Sequence, residues 1–516
     1  YGGTGSAGSH SDGNVSILQS LQDAGYKTNE TLSNMYTEYC AERPTISMSA
    51  QDWSLPEPNM KHYTDDIMNE AKDFSDTAMV VLGRPGGEGA DLPTNMSAVI
   101  NGTYNQGLAT SNAPANWRYM NATYTNNGSY DDFEEGESYL EPSVTEEQLI
   151  EKVCSEFDNV IVVINANNTM ELGWVDNYEQ IKSVILAPGA GETGFTALGE
   201  ILNGTVNPSG KTADTYVKNL LSTHYINNIG NFPYTNVDDL KAQALAADSS
   251  YKGNVSFVNY VEGIYVGYKF YETAAEEGLI DYESSVQYPF GYGLSYTSFD
   301  KTMTNFKDNG DTVSFDVEVT NTGDVAGKDV VEVYYTPPYT NGGIEKASVN
   351  LVQFEKTETL EPGKSQTLSF EIAKEDMASY DSDEIKVAGG GYILEAGEYT
   401  ISVRSDSHTV IAEETFTVDE DIDYSTEGRS TDKTAPVNVF EDYTQGDFIQ
   451  LSRADGFKNA GASWAAPTAE AAQMSDELRA EVEANTFGIY DSSKYDNVDD
   501  EMPTMGADNG LTLFDL

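Results

Sequence analysis

Residues 143–164 read Ser-Val-Thr-Glu-Glu-Gln-Leu-Ile-Glu-Lys-Val-Cys-Ser-Glu-Phe-Asp-Asn-Val-Ile-Val-Val-Ile. Ser143 with Glu146 three residues on is a capping box, so a helix starts here. Leu149, Ile150, Val153, Cys154 and Phe157 recur at helical spacing and mark its buried side. The uninterrupted apolar run over 160–164 that follows has no polar alternation, which is what a strand covered on both faces requires. A capped helix feeding a doubly covered strand is the repeating unit of a mainly parallel α/β sheet.

The same unit recurs on either side. Thr64 is a fitting N-cap for a helix with Ile67, Ala71 and Phe74 on one side, followed by an apolar strand over 78–82 that stops at Gly83. Downstream, a strand over 184–187 leads into a glycine-rich loop, 188–194, and a helix over 195–202. The N-terminal Gly2-Gly3-Thr4-Gly5-Ser6 loop feeds a helix over 15–25 carrying Ile17, Leu18, Leu21 and Ala24. After about residue 300 the period changes. Val313, Phe315, Val317 and Val319 alternate strictly with Ser314, Asp316, Glu318 and Thr320, the pattern of a half-buried strand. Comparable strands are expected over 330–335, 367–372, 398–403 and 415–418, separated by turns such as Asn321-Thr322-Gly323-Asp324, and together they predict a β-sandwich. The fold class expected is therefore an α/β sandwich over 1–300 followed by an all-β sandwich over 301–420. Residues 421–516 are acidic and weakly periodic apart from a helical stretch near 469–484, and they read as a linker.

The chain carries 28 Lys plus Arg against 85 Asp plus Glu among 516 residues, a formal net charge of −57, with 39% hydrophobic residues. Such a surface repels nucleic acid and anionic membranes, and nucleic-acid partners are excluded on that ground. No apolar run approaches the roughly 20 residues needed to span a bilayer. Cys40 and Cys154 make neither a disulfide framework nor metal-ligand spacing. The opening at Tyr1 reads as the middle of a fold, so a fragment is expected.

Gly3-Thr4-Gly5-Ser6-Ala7-Gly8 satisfies G-x-G-x-x-G, with Asp23 twenty residues beyond Gly3, but no strand precedes it and Asp23 falls at the end of a helix; a tight loop bringing a Ser hydroxyl to a ligand fits better than a dinucleotide site. Gly83-Arg84-Pro85-Gly86-Gly87-Glu88-Gly89-Ala90-Asp91 follows a parallel strand at its carboxyl end, where open α/β sheets place ligand sites. Its glycines let one carboxylate, Glu88, reach a crevice and protonate a leaving oxygen, unless Glu88 is simply a solvated loop residue. Asp52 beside Trp53 offers a nucleophile-like carboxylate but lacks a supporting strand. His10, His62, His224 and His408 are scattered, and Asp419, Asp421 and Asp423 lack the glycine and terminal Glu of a calcium loop. No cofactor or metal is expected. The Asn-x-Ser/Thr sequons at Asn14, Asn101 and Asn203 do not establish glycosylation.

Several stretches together resemble glycoside hydrolase family 3: Gly2-Gly3-Thr4-Gly5-Ser6; Val80-Val81-Leu82-Gly83-Arg84 through Gly87-Glu88-Gly89; Val162-Val163-Ile164-Asn165 with Met170-Glu171-Leu172; Leu202-Asn203-Gly204 with Val206-Asn207-Pro208-Ser209-Gly210-Lys211; Tyr260-Val261-Glu262-Gly263-Ile264-Tyr265-Val266-Gly267-Tyr268; and Tyr288-Pro289-Phe290-Gly291-Tyr292-Gly293-Leu294-Ser295-Tyr296. Asn321-Thr322-Gly323-Asp324-Val325-Ala326-Gly327 resembles the family's fibronectin type III-like domain. The resemblance implies a retaining, exo-acting β-glycosidase, foremost a β-glucosidase, whose (β/α)8 barrel carries an aspartate nucleophile and whose α/β sandwich lends the general acid/base. It assigns that acid/base to Glu88 and substrate contact to Ser6 and Arg84. Leu92 stands where members often have Arg, and Ala7 where Gly commonly follows the loop Ser, so subsite contacts are expected to differ. The stretches 451–457 and 499–503 resemble the lead-in to the barrel of members with permuted domain order, and the chain is expected to be the first part of such an enzyme. The expected partners are a β-linked oligosaccharide or glycoside and the barrel, on the same polypeptide or a cleaved companion chain, with homo-oligomers an open option. An extracellular or cell-surface bacterial setting is expected. The competing expectations are a non-catalytic carbohydrate-binding or adhesive protein, suggested by 33 Tyr, and β-xylosidase or β-N-acetylglucosaminidase specificity.

Overall fold

A computed structural model describes residues 13–41, 55, 57–86, 92–101, 132–230, 232–247, 255–436 and 449–486. The first domain is built on a three-stranded parallel sheet of order β1 (Thr77–Arg84), β2 (Asn159–Ala166), β3 (Ile181–Leu186). The helices are α1 (Ile17–Asp23), α2 (Glu30–Tyr39), α3 (Asp65–Phe74), α4 (Met96–Ile100), α5 (Val144–Glu156) and α6 (Thr196–Leu202). The capping box of α5 forms as its sequence dictates, with Ser143 and Glu146 serving each other's backbone N–H. Its apolar side meets β2, where Val160, Val162 and Ile164 are all but fully buried with Leu149, Ile150 and Val153. The α3 helix is capped by Thr64 and buries Met68 and Ala71, whereas Phe74 is 46% exposed and does not belong to the core face. The edge strand β3 is only partly covered, its residues ranging from half-buried to exposed.

The remainder of this domain holds two short pairs, β4 (Tyr216–Val217) with β7 (Val286–Tyr288) and β5 (Phe232–Pro233) with β6 (Ser256–Phe257), and the helices α7 (Asp238–Ala247), α8 (Tyr268–Glu276) and α9 (Tyr282–Ser285).

The second domain starts at β8 (Phe299–Asp308). It comprises β9 (Thr312–Asn321), β10 (Val330–Thr336), β11 (Asn350–Lys356), β12 (Ser365–Ala373), β13 (Ser379–Asp381), β14 (Gly391–Leu394), β15 (Gly397–Arg404), β16 (Val410–Val418) and β17 (Ile422–Asp423). Two antiparallel sheets, ordered β11-β10-β15-β16 and β12-β9-β8, close over a core in which Val313, Phe315, Val317 and Val319 meet Val331, Val333, Ile401 and Val403. The strict alternation of β9 thus points one face inward, as its sequence requires.

Strand β10 is buried on both faces, and the second face is explained by docking onto the first domain. The hydroxyl oxygen of Tyr268, on α8, accepts Leu351 N–H at 2.8 Å, and its ring lies edge-on to Tyr334. Gly291, at φ +82°, leaves no room for a side chain, since a Cβ there would fall 2.2 Å from Glu332 Oε2. Asn207 spans the seam: its Nδ2 donates to Ala326 O at 3.1 Å while its Oδ1 accepts Ser295 Oγ–H at 2.9 Å and Tyr296 N–H at 2.8 Å. Across the same seam Glu272 of α8 accepts from Ser407 Oγ at 2.8 Å and lies 2.9 Å from His408 Nδ1. The stretches 207–211 and 288–296, conspicuous in the sequence, are therefore seam-forming loops.

The expectation of a linker from 421 onward is corrected over 449–486. Leu451, Phe457 and Ala460 are buried with Tyr265, Phe270 and Tyr271 of the first domain, on and beside α10 (Ala454–Phe457) and α11 (Ala460–Ser463). Arg453 reaches Glu277 at 2.7 Å, Glu276 at 3.0 Å and Lys346 O at 3.1 Å, so it ties both domains together. Met474 and Leu478, the latter on α12 (Asp476–Thr486), pack with Tyr234, Val237 and Leu240. The acidic content of the segment hid this, because a few large side chains do the packing with little periodicity. No helix among the described residues is long and apolar enough to cross a membrane.

Candidate active site

Parallel strands end together, so β1, β2 and β3 deliver their following loops to one edge of the sheet. Gly86, two residues past the end of β1, packs against the loop after β2: a Cβ there would lie 2.8 Å from Asn168 Oδ1 and 3.5 Å from Leu92 Cδ2, so a side chain would make the exposed Asn168 side chain shift. After β2 the asparagines join neighbouring loops. Asn165 Nδ2 donates to Ala187 O at 2.8 Å, and Asn167 Oδ1 accepts Gly189 N–H at 2.6 Å while its Nδ2 lies 3.5 Å from Gly86 O. Beside them is a cleft of about 510 Å³, lined among others by Gly86, Leu92, Asn167, Thr169, Ile226 and Ile229. A lining that mixes leucine and isoleucine side chains with the amides of Asn167 and Asn168 and the hydroxyls of Thr94 and Thr169 suits a ligand with hydroxyl groups and a hydrophobic face.

Glu88 and Ser6, the expected acid/base and sugar-contact residues, lie outside the described residues, as do Asp52, Trp53, His10 and the glycine-rich stretch 2–8. Arg84, expected to touch substrate, is 1% exposed. All five guanidinium N–H groups have acceptors: Nε donates to Tyr139 O at 2.6 Å, Nη1 to Gly83 O at 3.0 Å and Glu146 Oε1 at 2.7 Å, and Nη2 to Glu141 O at 2.8 Å and Glu146 Oε2 at 2.6 Å. The substrate-contact assignment of Arg84 is corrected accordingly, since this geometry leaves no donor for a sugar hydroxyl. Glu146 does double duty, as its Oε2 also accepts Ser143 N–H at 2.8 Å within the capping box. Sequence reasoning found that box but could not see its second partner, which lies 62 residues away.

Next in the chain to the cleft-lining Leu140, Glu141 is pushed up to about 7 by burial, against the stabilising Ser138 N–H and with help from Glu171, Glu137 and Glu147. Burial likewise raises Glu171, which accepts Leu220 N–H at 2.8 Å. Each of these carboxylates holds a loop backbone N–H, Glu141 that of Ser138 and Glu171 that of Leu220. His224 is buried and stacked on Phe270 at 3.7 Å, His62 lies edge-on to Tyr39, and Asp421 pairs with Lys386 at 2.8 Å. Asp23 ends α1, as the sequence reading has it, and Cys40 and Cys154 are not joined to each other by a disulfide. Among the described residues no cluster of His, Cys, Asp and Glu could hold a metal ion.

The family model for the glycosyl hydrolase family 3 C-terminal domain matches residues 1–296, and that for a fibronectin type III-like domain matches 329–407. Beta-glucosidase A of Butyrivibrio fibrisolvens is 31% identical over 382 residues, 70% of this chain and 39% of its own length. A beta-glucosidase of Ruminococcus albus is 30% identical over 421 residues, 81% of this chain and 36% of its own. The structure of beta-glucosidase 3B from Thermotoga neapolitana in complex with glucose superposes with a TM-score of 0.60 at 27% identity, over 82% of this chain and 49% of that one. The chain thus spans less than half the length of each of these relatives. With the α/β domain, the fibronectin type III-like sandwich and their order all matched, the chain belongs to glycoside hydrolase family 3.

Proposed function

We propose that this chain supplies the general acid/base half of a retaining, exo-acting β-glycosidase that removes terminal β-linked sugars, with β-glucosides as the substrate class. The observation that carries this is the cleft at the carboxyl ends of β1 and β2, whose wall includes Gly86 and Leu92, the described residues flanking Glu88 in the sequence. Two relatives named as beta-glucosidases support the sugar. In this reading Glu88 protonates the departing glycosidic oxygen and then takes the proton of the attacking water, and Ser6 approaches the bound sugar. A second carboxyl, about 5 Å away, must attack the anomeric carbon. That nucleophile is assigned to a (β/α)8 barrel outside this chain, on the same polypeptide or a companion chain. We place the protein outside the cell or at its surface, where a charge of −57 favours solubility.

The test is Glu88→Gln in the enzyme complete with its nucleophile. Loss of kcat/KM is expected to be severe for alkyl glucosides, whose leaving groups need a proton, and small for dinitrophenyl glucosides, whose leaving groups do not. Equal slowing of both removes Glu88 from the acid role. This chain alone is expected to show no turnover, and full activity from it refutes the division of labour.

A further inference from the structure

Two proton-binding clusters lie on the seam between the domains, each with members from both sides. In the first, Glu332 of β10 faces away from the sandwich core that holds its neighbours Val331 and Val333, and so toward the first domain. It is 4% exposed, its Oε2 accepts the Tyr334 hydroxyl at 2.6 Å, and the Gly291 backbone closes over the carboxyl so tightly that a Cβ there would lie 2.2 Å from Oε2. The charges around it are Lys211 of the first domain and Lys301, Asp406 and Arg404 of the second, Arg404 being its partner on β15. The Lys211 ammonium lies near carbonyls, 3.5 Å from Gly293 O and 3.4 Å from Ser405 O across the seam. In the second cluster Glu272 of α8, 6% exposed, accepts the hydroxyls of Tyr282 and Ser407 at Oε1, both at 2.8 Å, and its Oε2 lies 2.9 Å from His408 Nδ1. The His408 ring stacks on Tyr282 of α9 with centroids 3.7 Å apart, and Asp406 and Glu283 add negative charge around it.

Both clusters hold a proton more tightly closed than open. Burial pushes Glu332 from 4.5 up to about 7, with Asp406 adding to the rise and the Tyr334 hydroxyl, Lys211 and Lys301 opposing it. The hydrogen bond to Glu272 holds His408 above its ordinary 6.5, helped by the charges of Glu272, Asp406 and Glu283 and opposed by partial burial. For Glu332, closure is fully supported below about 4.5 and weakens as pH rises through about 7. For His408, it is supported below 6.5 and weakens as pH rises past the raised value. Burial holds Lys211 and Arg404 below their ordinary values, so these two favour closure only toward the alkaline end. Tyr268, Tyr282 and Tyr334 are pushed above the ordinary 10 by burial and keep their protons throughout. We propose that the seam is a proton-operated latch: with Glu332 neutral and His408 charged the sandwich is clamped to the α/β domain, and loss of those two protons above neutral pH releases it. Nothing in the latch depends on Glu88.

The test is native-state hydrogen exchange of the full chain between pH 5 and pH 8, read as protection factors so that the chemical pH dependence of exchange is removed. Three amides of the second domain are held by acceptors of the first: Ser348 N–H by Thr273 Oγ1 at 3.0 Å, Leu351 N–H by the Tyr268 hydroxyl at 2.8 Å, and Ser407 N–H by Phe290 O at 2.8 Å. The amides of β9, the central strand of its sheet, are the reference for opening of the sandwich itself. With Glu332 at about 7 in the seam and 4.5 when solvated, protection of the three seam amides is expected to fall by about a hundredfold over this range relative to β9. Glu332→Gln, neutral at every pH, is expected to keep most of that protection at pH 8, and His408→Gln to lose protection already at pH 5. Seam amides that follow β9 at every pH overturn the latch, as does a fall in the Glu332→Gln, His408→Gln double variant as steep as in the parent. Abolition of the fall by 1 M sodium chloride, where the screening length is about 3 Å, also overturns it, since long-range repulsion between two acidic domains is then the cause. The parent profile and the salt comparison need no substitution, so they decide the matter even if a variant fails to fold.

Discussion

Replacing Phe457 by Ala tests whether the carboxy-terminal segment is structural. Phe457 is 1% exposed, with its ring centroid 5.0 Å from Tyr265 and 6.1 Å from Phe270 in edge-on arrangements. It sits where Asp455, Gly456 and Phe457 have φ of 54°, 68° and 59°. Left-handed backbone at two non-glycine residues costs about 1–2 kcal/mol each, so burial of the ring must exceed that cost. Truncating a fully buried Phe removes about 3–5 kcal/mol, a third or more of the stability of an ordinary domain. For a domain of this size that corresponds to a fall of about 10 °C in melting temperature. Trp464, 6.1 Å from Phe270 in the same cluster, provides a local fluorescence signal for denaturant unfolding. The expected outcome is an earlier transition at Trp464 together with earlier loss of helical signal. A change below about 1 kcal/mol, the range of surface substitutions, would show that residues 449–464 do not hold the first domain together.

Asn207→Ala removes three hydrogen bonds at the domain seam, and a cost of about 1–3 kcal/mol is expected, with calorimetry resolving the two domains into separate transitions; a single unshifted transition counts against the seam. Glu141→Gln probes a buried acid held at about 7 against an ordinary 4.5. Because the folded value is raised, the native protein loses stability as pH rises from about 4.5 through about 7. The Gln variant is expected to match the parent near pH 4.5 and to exceed it by about 1–3 kcal/mol at pH 8, and a constant difference across that range would contradict the burial argument.

What the sequence discloses depends on how far away a residue's partners are. Strands β2 and β9 are legible because period and burial coincide: unbroken Val and Ile under helices in one case, strict alternation in the other. Strand β8 escapes because its alternation through Phe299, Lys301 and Met303 is interrupted at Asn305, φ 57°, where the register shifts before Phe306 resumes it. The linker expectation fails for a related reason, since Leu451, Phe457 and Ala460 are too widely spaced to set up a period. At the site, the family resemblance assigned Arg84, four residues before the expected acid in the chain, to substrate contact. Its acceptors at Tyr139, Glu141 and Glu146 lie 55, 57 and 62 residues away, a distance at which local pattern carries no information.

The seam between the domains also sets the terms for module exchange. A sandwich transplanted onto another α/β domain would arrive with Glu332, Ser407 and His408 facing positions that here are Gly291 and Glu272. A recipient with any side chain at the place of Gly291 would wedge the graft open, and one without a carboxylate at the place of Glu272 would leave the loop of Ser407 and His408 without its acceptor. The unit of recombination is therefore the β-sandwich together with the host loops 207–211 and 288–296 and helix α8, so that a chimaera cut at the nominal domain boundary near residue 300 would be divided through its own interface.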